Sequence, residues 1–167
     1  MDVTEILASE LADLRKRVRQ LEATERPVSQ SGTWTPTLFG ATTAGTCTYA
    51  STGAQWSRHG DRVSINGRVL TIGAPVAPTG TILIGGLPVV PGANTTNGNI
   101  LGGVTIIWSA LPLATGYTFV GGGIVGGTSN IYLYKSGANV ARAFVAHTDL
   151  PISWAVDLFF WGTYKVD

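Results

Sequence analysis

The chain has 167 residues, enough for one domain with an appendage, and its 11 basic and 10 acidic side chains leave a net charge of +1, which excludes a strongly basic nucleic-acid binder. Charged residues are only 13% of the chain, about half the usual share for a soluble protein, and 11 of the 21 fall within the first 26 residues. No side chain is charged between Arg68 and Lys135, so that stretch lacks both the acid–base groups of hydrolytic catalysis and the cations of a phosphate site.

Residues 2–26 read as an amphipathic helix rather than a secretory signal. Asp2 followed by Glu5 resembles a capping box. Thr4, Leu11, Val18 and Glu25 recur every seven residues, and Leu7, Leu14 and Leu21 follow them by three. These are the a and d positions of a coiled coil, with Leu7, Leu11, Leu14, Val18 and Leu21 forming its apolar seam. Glu10 (g) and Arg15 (next e) are opposite in sign, as are Arg17 and Glu22, which suits a parallel, in-register homo-oligomer. The run Arg17-Val18-Arg19-Gln20-Leu21-Glu22 resembles a trimerisation motif. Val18 at a beside Leu at d leans instead towards a dimer, and the reading favours three chains. Pro27 ends the helix, giving a rod of roughly 37 Å.

Residues 27–32 form a polar linker. From residue 33 to 167 glycine and proline punctuate short runs of Thr, Val, Ile and aromatics, the pattern of many strands. Strands are expected at 34–39, 46–50, 54–59, 62–72, 80–86, 99–109, 116–120, 130–135, 140–147 and 153–165, with a tight turn at Gly60-Asp61. Residues 62–72 alternate polar and apolar apart from Gly67, as on a sheet with one wet face. Phe159-Phe160-Trp161 reads as a central or interface strand. The expected fold is mainly β, an antiparallel β-sandwich of jelly-roll type behind the helical coiled coil. Gly121–Gly127 reads as a flexible loop or bulged edge, because the nearest cation is Lys135 and no helix follows to make a phosphate loop. Glycine and proline break every apolar run well short of the ~18 residues of a membrane span. The lone Cys47 excludes an intrachain disulfide and a multi-cysteine metal site.

Two His–Asp pairs, His59 with Asp61 and His147 with Asp149, could serve a nucleophile at Ser57 or Ser153. Residues two apart on a strand share a face by period alone, however, and no Gly-x-Ser-x-Gly is present. No catalytic residue, cofactor or metal is assigned, although a three-fold axis could gather one histidine per chain. The aromatics carry more information. Five tryptophans (Trp34, Trp56, Trp108, Trp154 and Trp161) lie in a domain poor in charge, where aromatic faces stack on sugar rings and neutral groups supply hydrogen bonds. Trp108, Tyr117, Asn130 and Tyr132 are the candidate glycan-binding residues.

The order Gly32-Thr33-Trp34-Thr35-Pro36, then Gln55-Trp56-Ser57-Arg58-His59-Gly60-Asp61-Arg62-Val63, Ile84-Gly85-Gly86-Leu87-Pro88 and a terminal Gly162-Thr163-Tyr164 resembles the C-terminal β-domain of bacteriophage tail fibres and related virion surface fibres. The family usually has Tyr where Trp56 stands. The resemblance implies a homotrimer at the virion surface that binds a host-surface glycan. It also implies a phage tail, baseplate or capsid protein as partner for the N-terminal helix, and neither nucleic-acid binding nor membrane insertion. A capsid-attached head fibre or decoration protein is the alternative, and a hydrolase acting on surface polysaccharide a more distant one.

Overall fold

The computed structural model describes residues 2–25, 29–93 and 100–166, with the side chains of residues 5, 6 and 21–25 outside that description. Helix α1 spans Val3–Glu25. The Asp2 carboxylate accepts the Thr4 hydroxyl at its start, and that bond, followed by the Thr4 amide, lowers the Asp2 pKa. In the single chain Leu7 is 59% exposed, Leu11 50%, Leu14 54% and Val18 49%, so the seam has no partner within its own chain. Glu10, Arg15 and Arg17 are exposed beside it. The expectations placed on the Leu21 and Glu22 side chains and on Pro27 lie outside the described residues.

Among the described residues ten strands follow: β1 (Ser29–Trp34), β2 (Thr37–Gly40), β3 (Thr46–His59), β4 (Arg62–Val76), β5 (Ile82–Gly85), β6 (Ile100–Ser109), β7 (Phe119–Val125), β8 (Asn130–Gly137), β9 (Val140–Phe144) and β10 (Asp157–Lys165). All pair antiparallel in the order β1-β3-β4-β10-β6-β7-β8-β5-β2, with β9 also on β8. The last strand therefore lies in the middle, pairing with β4 on one side and β6 on the other. The far end of the sheet returns to its start. The Leu38 amide of β2 donates to the Tyr49 hydroxyl of β3 at 2.8 Å, and the Thr52 hydroxyl donates to the Pro36 carbonyl at 2.7 Å. One core fills the inside, built from inward residues such as Val63, Val69, Val104, Ile131, Leu158 and Phe160. The expected two-sheet sandwich thus differs from what forms. Because β10 bonds on both edges, the described strands make one continuous sheet curled around its core.

Strand boundaries shift for physical reasons. Residues 29–32, expected as linker, form β1 because β3 offers them a ladder from Ser29↔His59 to Trp34↔Ala54. The two strands expected at 46–50 and 54–59 are one, with irregular register between Thr46 and Ser51. Gly60-Asp61 is the two-residue hairpin turn, with Gly60 at φ 61°. Gly67 breaks the alternation of β4 because the space inside it is taken: a Cβ there would lie 2.6 Å from Phe160 Cζ and 2.4 Å from Ala54 Cβ. The expected strand 140–147 stops at Phe144, and His147–Asp149 form a 3₁₀ turn. The expected strand 153–165 begins only at Asp157, since Trp154 sits at φ 54° and its carbonyl accepts the buried Thr71 hydroxyl.

The largest departure is β7. The glycine run expected as a loop is an interior strand between β6 and β8. Gly122 faces inward, where a Cβ would come within 2.7 Å of Ile131 Cγ2 and 3.0 Å of Val104 Cβ. Its neighbours occupy the volume a side chain would need, so packing overrides the low strand propensity of glycine.

Candidate functional site

Strand period and register determine what faces outward. Asn66, Trp161, Thr105, Gly121, Tyr134 and Phe144 stand side by side on β4, β10, β6, β7, β8 and β9. Two hollows lie along this side of the sheet.

The first, about 530 Å³, lies over β7. Gly121 and Gly122 form its floor, Phe119, Tyr134 and Thr105 its walls, and Ser136 and Arg142 its polar rim. Tyr134 stacks on Phe144 with ring centroids 4.9 Å apart at 28°, Tyr132 meets Phe144 at 6.1 Å, and the Arg142 guanidinium lies 4.6 Å from the Tyr134 centroid. Aromatic rings are therefore held upright around a floor without side chains. Such a space admits a flat, hydroxyl-bearing ring that stacks through its apolar face and hydrogen-bonds at its edge.

The second hollow, about 1050 Å³, lies over β10 and is walled by Ile107, Phe159 and Trp161, with Arg68, Asn66, Gln55 and Thr33 around them. Ile107 is 56% exposed, Trp161 44% and Phe159 43%. Arg68 makes a two-pronged pair with Asp157, both bonds 2.8 Å, and its guanidinium covers the Phe159 ring at 4.7 Å. Hydrogen bonding from Arg68 holds the Asp157 carboxyl below its ordinary pKa, and the same bond raises that of Arg68.

The four expected glycan residues are not gathered into one exposed patch. Trp108 pairs with Leu158 on the inward phase and packs half-buried against the core, not in an exposed patch. Tyr117 is half-buried beneath the Lys135 ammonium at 4.7 Å, and its hydroxyl donates to the Ala141 carbonyl. Asn130 opens β8 opposite Gly85, and Tyr132, on the same face two residues on, joins the Phe144 cluster. Tyr134, Phe144, Phe119 and Arg142 were not singled out from sequence. The spacing of Tyr132 and Tyr134 by two was the available signal. Trp34, Trp56 and Trp154 pack against the core.

The His–Asp pairs are engaged elsewhere. His147 Nδ1 accepts the Gly80 amide at 3.2 Å. Buried Asp149 takes Lys135 Nζ at 2.6 Å on both oxygens and also accepts the Ala146 amide at 2.8 Å. His59 and Asp61 flank the exposed hairpin turn, where Asp61 lies 3.8 Å from Lys165 Nζ. Ser57 pairs with Ser64 on the outward face, and Ser153 Oγ accepts the Ala155 amide. Among the described residues no three His, Cys, Asp or Glu side chains converge as a metal site. Cys47 is half-buried, and burial raises its thiol pKa.

No family model matches the chain, and no curated protein matches it. Among solved structures it is similar to the Dettilon tailspike protein (gp208), with a TM-score of 0.62 and 19% identity over 82% of this chain. The match spans 24% of the tailspike's own length. The described β-domain thus has a fold found in part of a phage tailspike.

Proposed function

We propose that the chain is a virion surface protein of a bacteriophage, a homotrimeric tail fibre or spike that attaches to a host-surface glycan. The β7 hollow, with its glycine floor and aromatic walls, carries the reading. The tailspike fold supports the setting, and the unpartnered leucines of α1 support the trimer and a helical anchor on the particle. A pyranose ring stacks on the half-exposed Phe119 while its hydroxyls meet Ser136, Thr105 and Arg142. Affinity comes from stacking and neutral hydrogen bonds, with one nearby cation, so it depends little on ionic strength. Three weak sites on one trimer gain strength on a dense receptor through avidity. The protein acts by binding and not by catalysis, a reading supported by the structural bonds that occupy His147 and Asp149.

The test is adsorption of purified protein to intact host cells, with and without enzymatic removal of surface polysaccharide, at low and high salt. Phe119→Ala is expected to weaken single-site binding about tenfold, the loss of roughly 1–1.5 kcal/mol of stacking, without changing assembly mass. Absence of binding under every condition, with the protein located on the capsid, would replace this reading with decoration.

A further inference from the structure

We infer that the outward face of β10, with Ile107 of β6 and Arg68 of β4, packs against a second copy of this chain. The inference rests on the oligomeric reading above. Ile107, Phe159 and Trp161 form a contiguous apolar patch, each 43–56% exposed in the single chain, at the centre of the sheet and not at its rim. Contiguous exposed apolar residues of this kind mark a contact surface.

The chemistry of the patch selects its occupant. Ile107, aliphatic and in register with Phe159, offers no stacking face to a sugar. The only charge lining the hollow is Arg68, which Asp157 neutralises within the same chain. A neutral, apolar surface matches another neutral, apolar surface, and this chain, with no charged side chain from 69 to 134, presents one.

Chain connectivity brings that surface into place. From Glu25 to Ser29 there are four peptide steps, which reach at most about 15 Å. Packed helices lie about 8–10 Å apart, so parallel helices confine the starts of neighbouring β1 strands to within about 40 Å of one another. A β-domain of this size is roughly 37 Å across, so the tether holds neighbouring domains within reach of one another. β1 and the residue that follows it contribute Thr33, Trp34 and Thr35 to the β10 hollow. In a closed ring of three the contact is head-to-tail, and the hollow receives a different part of the neighbour.

Hydroxyl-radical footprinting of the full chain, paired with light scattering on the same sample, tests this. In an oligomer, Ile107, Phe159 and Trp161 are each expected to be modified several-fold less than the same residue in the monomeric Leu11→Asp/Leu14→Asp variant, while Phe144, of similar exposure in the single chain, changes little. Ile107→Lys leaves a free chain undisturbed at a more than half-exposed site, and is expected to lower the melting temperature of the assembly and restore modification of Trp161. An oligomer in which Trp161 is modified as readily as in the monomeric variant would overturn this inference alone. A monomer at micromolar concentration would overturn it together with the trimeric reading.

Discussion

The hollows over β7 and β10 lie on the same side of one sheet, separated by β6, and differ in how their polar groups are committed. Over β10 the cation is locked to Asp157 and laid across a ring, and an aliphatic side chain, Ile107, stands beside Phe159. Over β7 the floor carries no side chain and Ser136 stands at the rim with Phe119 open beside it, while the Arg142 guanidinium lies over Tyr134 as Arg68 lies over Phe159. Exposed aromatics on a strand are therefore not one signal. On the proposed reading, their neighbours decide whether they meet protein or sugar.

The strongest way to break this comparison is to remove the assembly. Leu11→Asp with Leu14→Asp places uncompensated charge in the helical seam at a cost of several kcal/mol per layer. Light scattering is expected to show monomers. The β10 face then becomes labelled, while the β7 hollow keeps its single-site affinity and loses avidity. Trp108→Ala comes next: about 2–4 kcal/mol of stability is lost from its half-buried ring, read by denaturant titration, with unchanged glycan affinity in the folded fraction.

Two glycines sharpen the contrast further. Gly67→Ala forces a methyl group against Ala54 Cβ and Phe160 Cζ beneath the β10 face, costing about 1–3 kcal/mol in a melting experiment. Gly121→Ser places its Cβ 2.9 Å from Phe119 Cε1, the outer part of a half-exposed ring that can swing aside. Stability is expected to change by about 0.5 kcal/mol or less, while filling the floor abolishes glycan adsorption. The smallest effect belongs to Asp157→Asn. The folded-state carboxyl titrates below its unfolded value, so its stabilisation is present above about pH 4 and lost as pH falls through the folded pKa. Both partners are partly exposed, and screening holds the loss to about 1 kcal/mol or less. The variant is expected to match the parent at low pH and fall below it near neutrality.

The features readable from sequence were those set by local period. The heptads of α1, the alternation along β4 and the Gly60-Asp61 hairpin depend on neighbours within a few residues. The position of β7 does not. Its glycines are explained only by Ile131 and Val104, which distant pairings bring against Gly122. The facing of tryptophans was hidden for a related reason. An unbroken run such as Phe159-Phe160-Trp161 has no polar residue to mark its phase, so only the register with β4 and β6 sends Phe160 inward and its neighbours outward. Trp108 was misjudged by that same missing phase. The outward Tyr132 and Tyr134 share the spacing of any half-buried strand, and their meeting with Phe144 depends on the β8–β9 register.

The central place of β10 has a consequence for how the chain acquires its fold. Phe159 pairs with Arg68, roughly ninety positions earlier, and with Ile107, roughly fifty earlier. During synthesis the β1-β3-β4 and β6-β7-β8 groups can form ladders, but each keeps a bare edge until β10 has left the ribosome. Pairings of such long sequence separation form slowly, because loop closure must precede any gain from contact. In that interval the edges of β4 and β6 are templates for strands of other chains. Maturation therefore waits on the arrival of β10, and the yield of native protein should rise when translation is slowed or the temperature lowered.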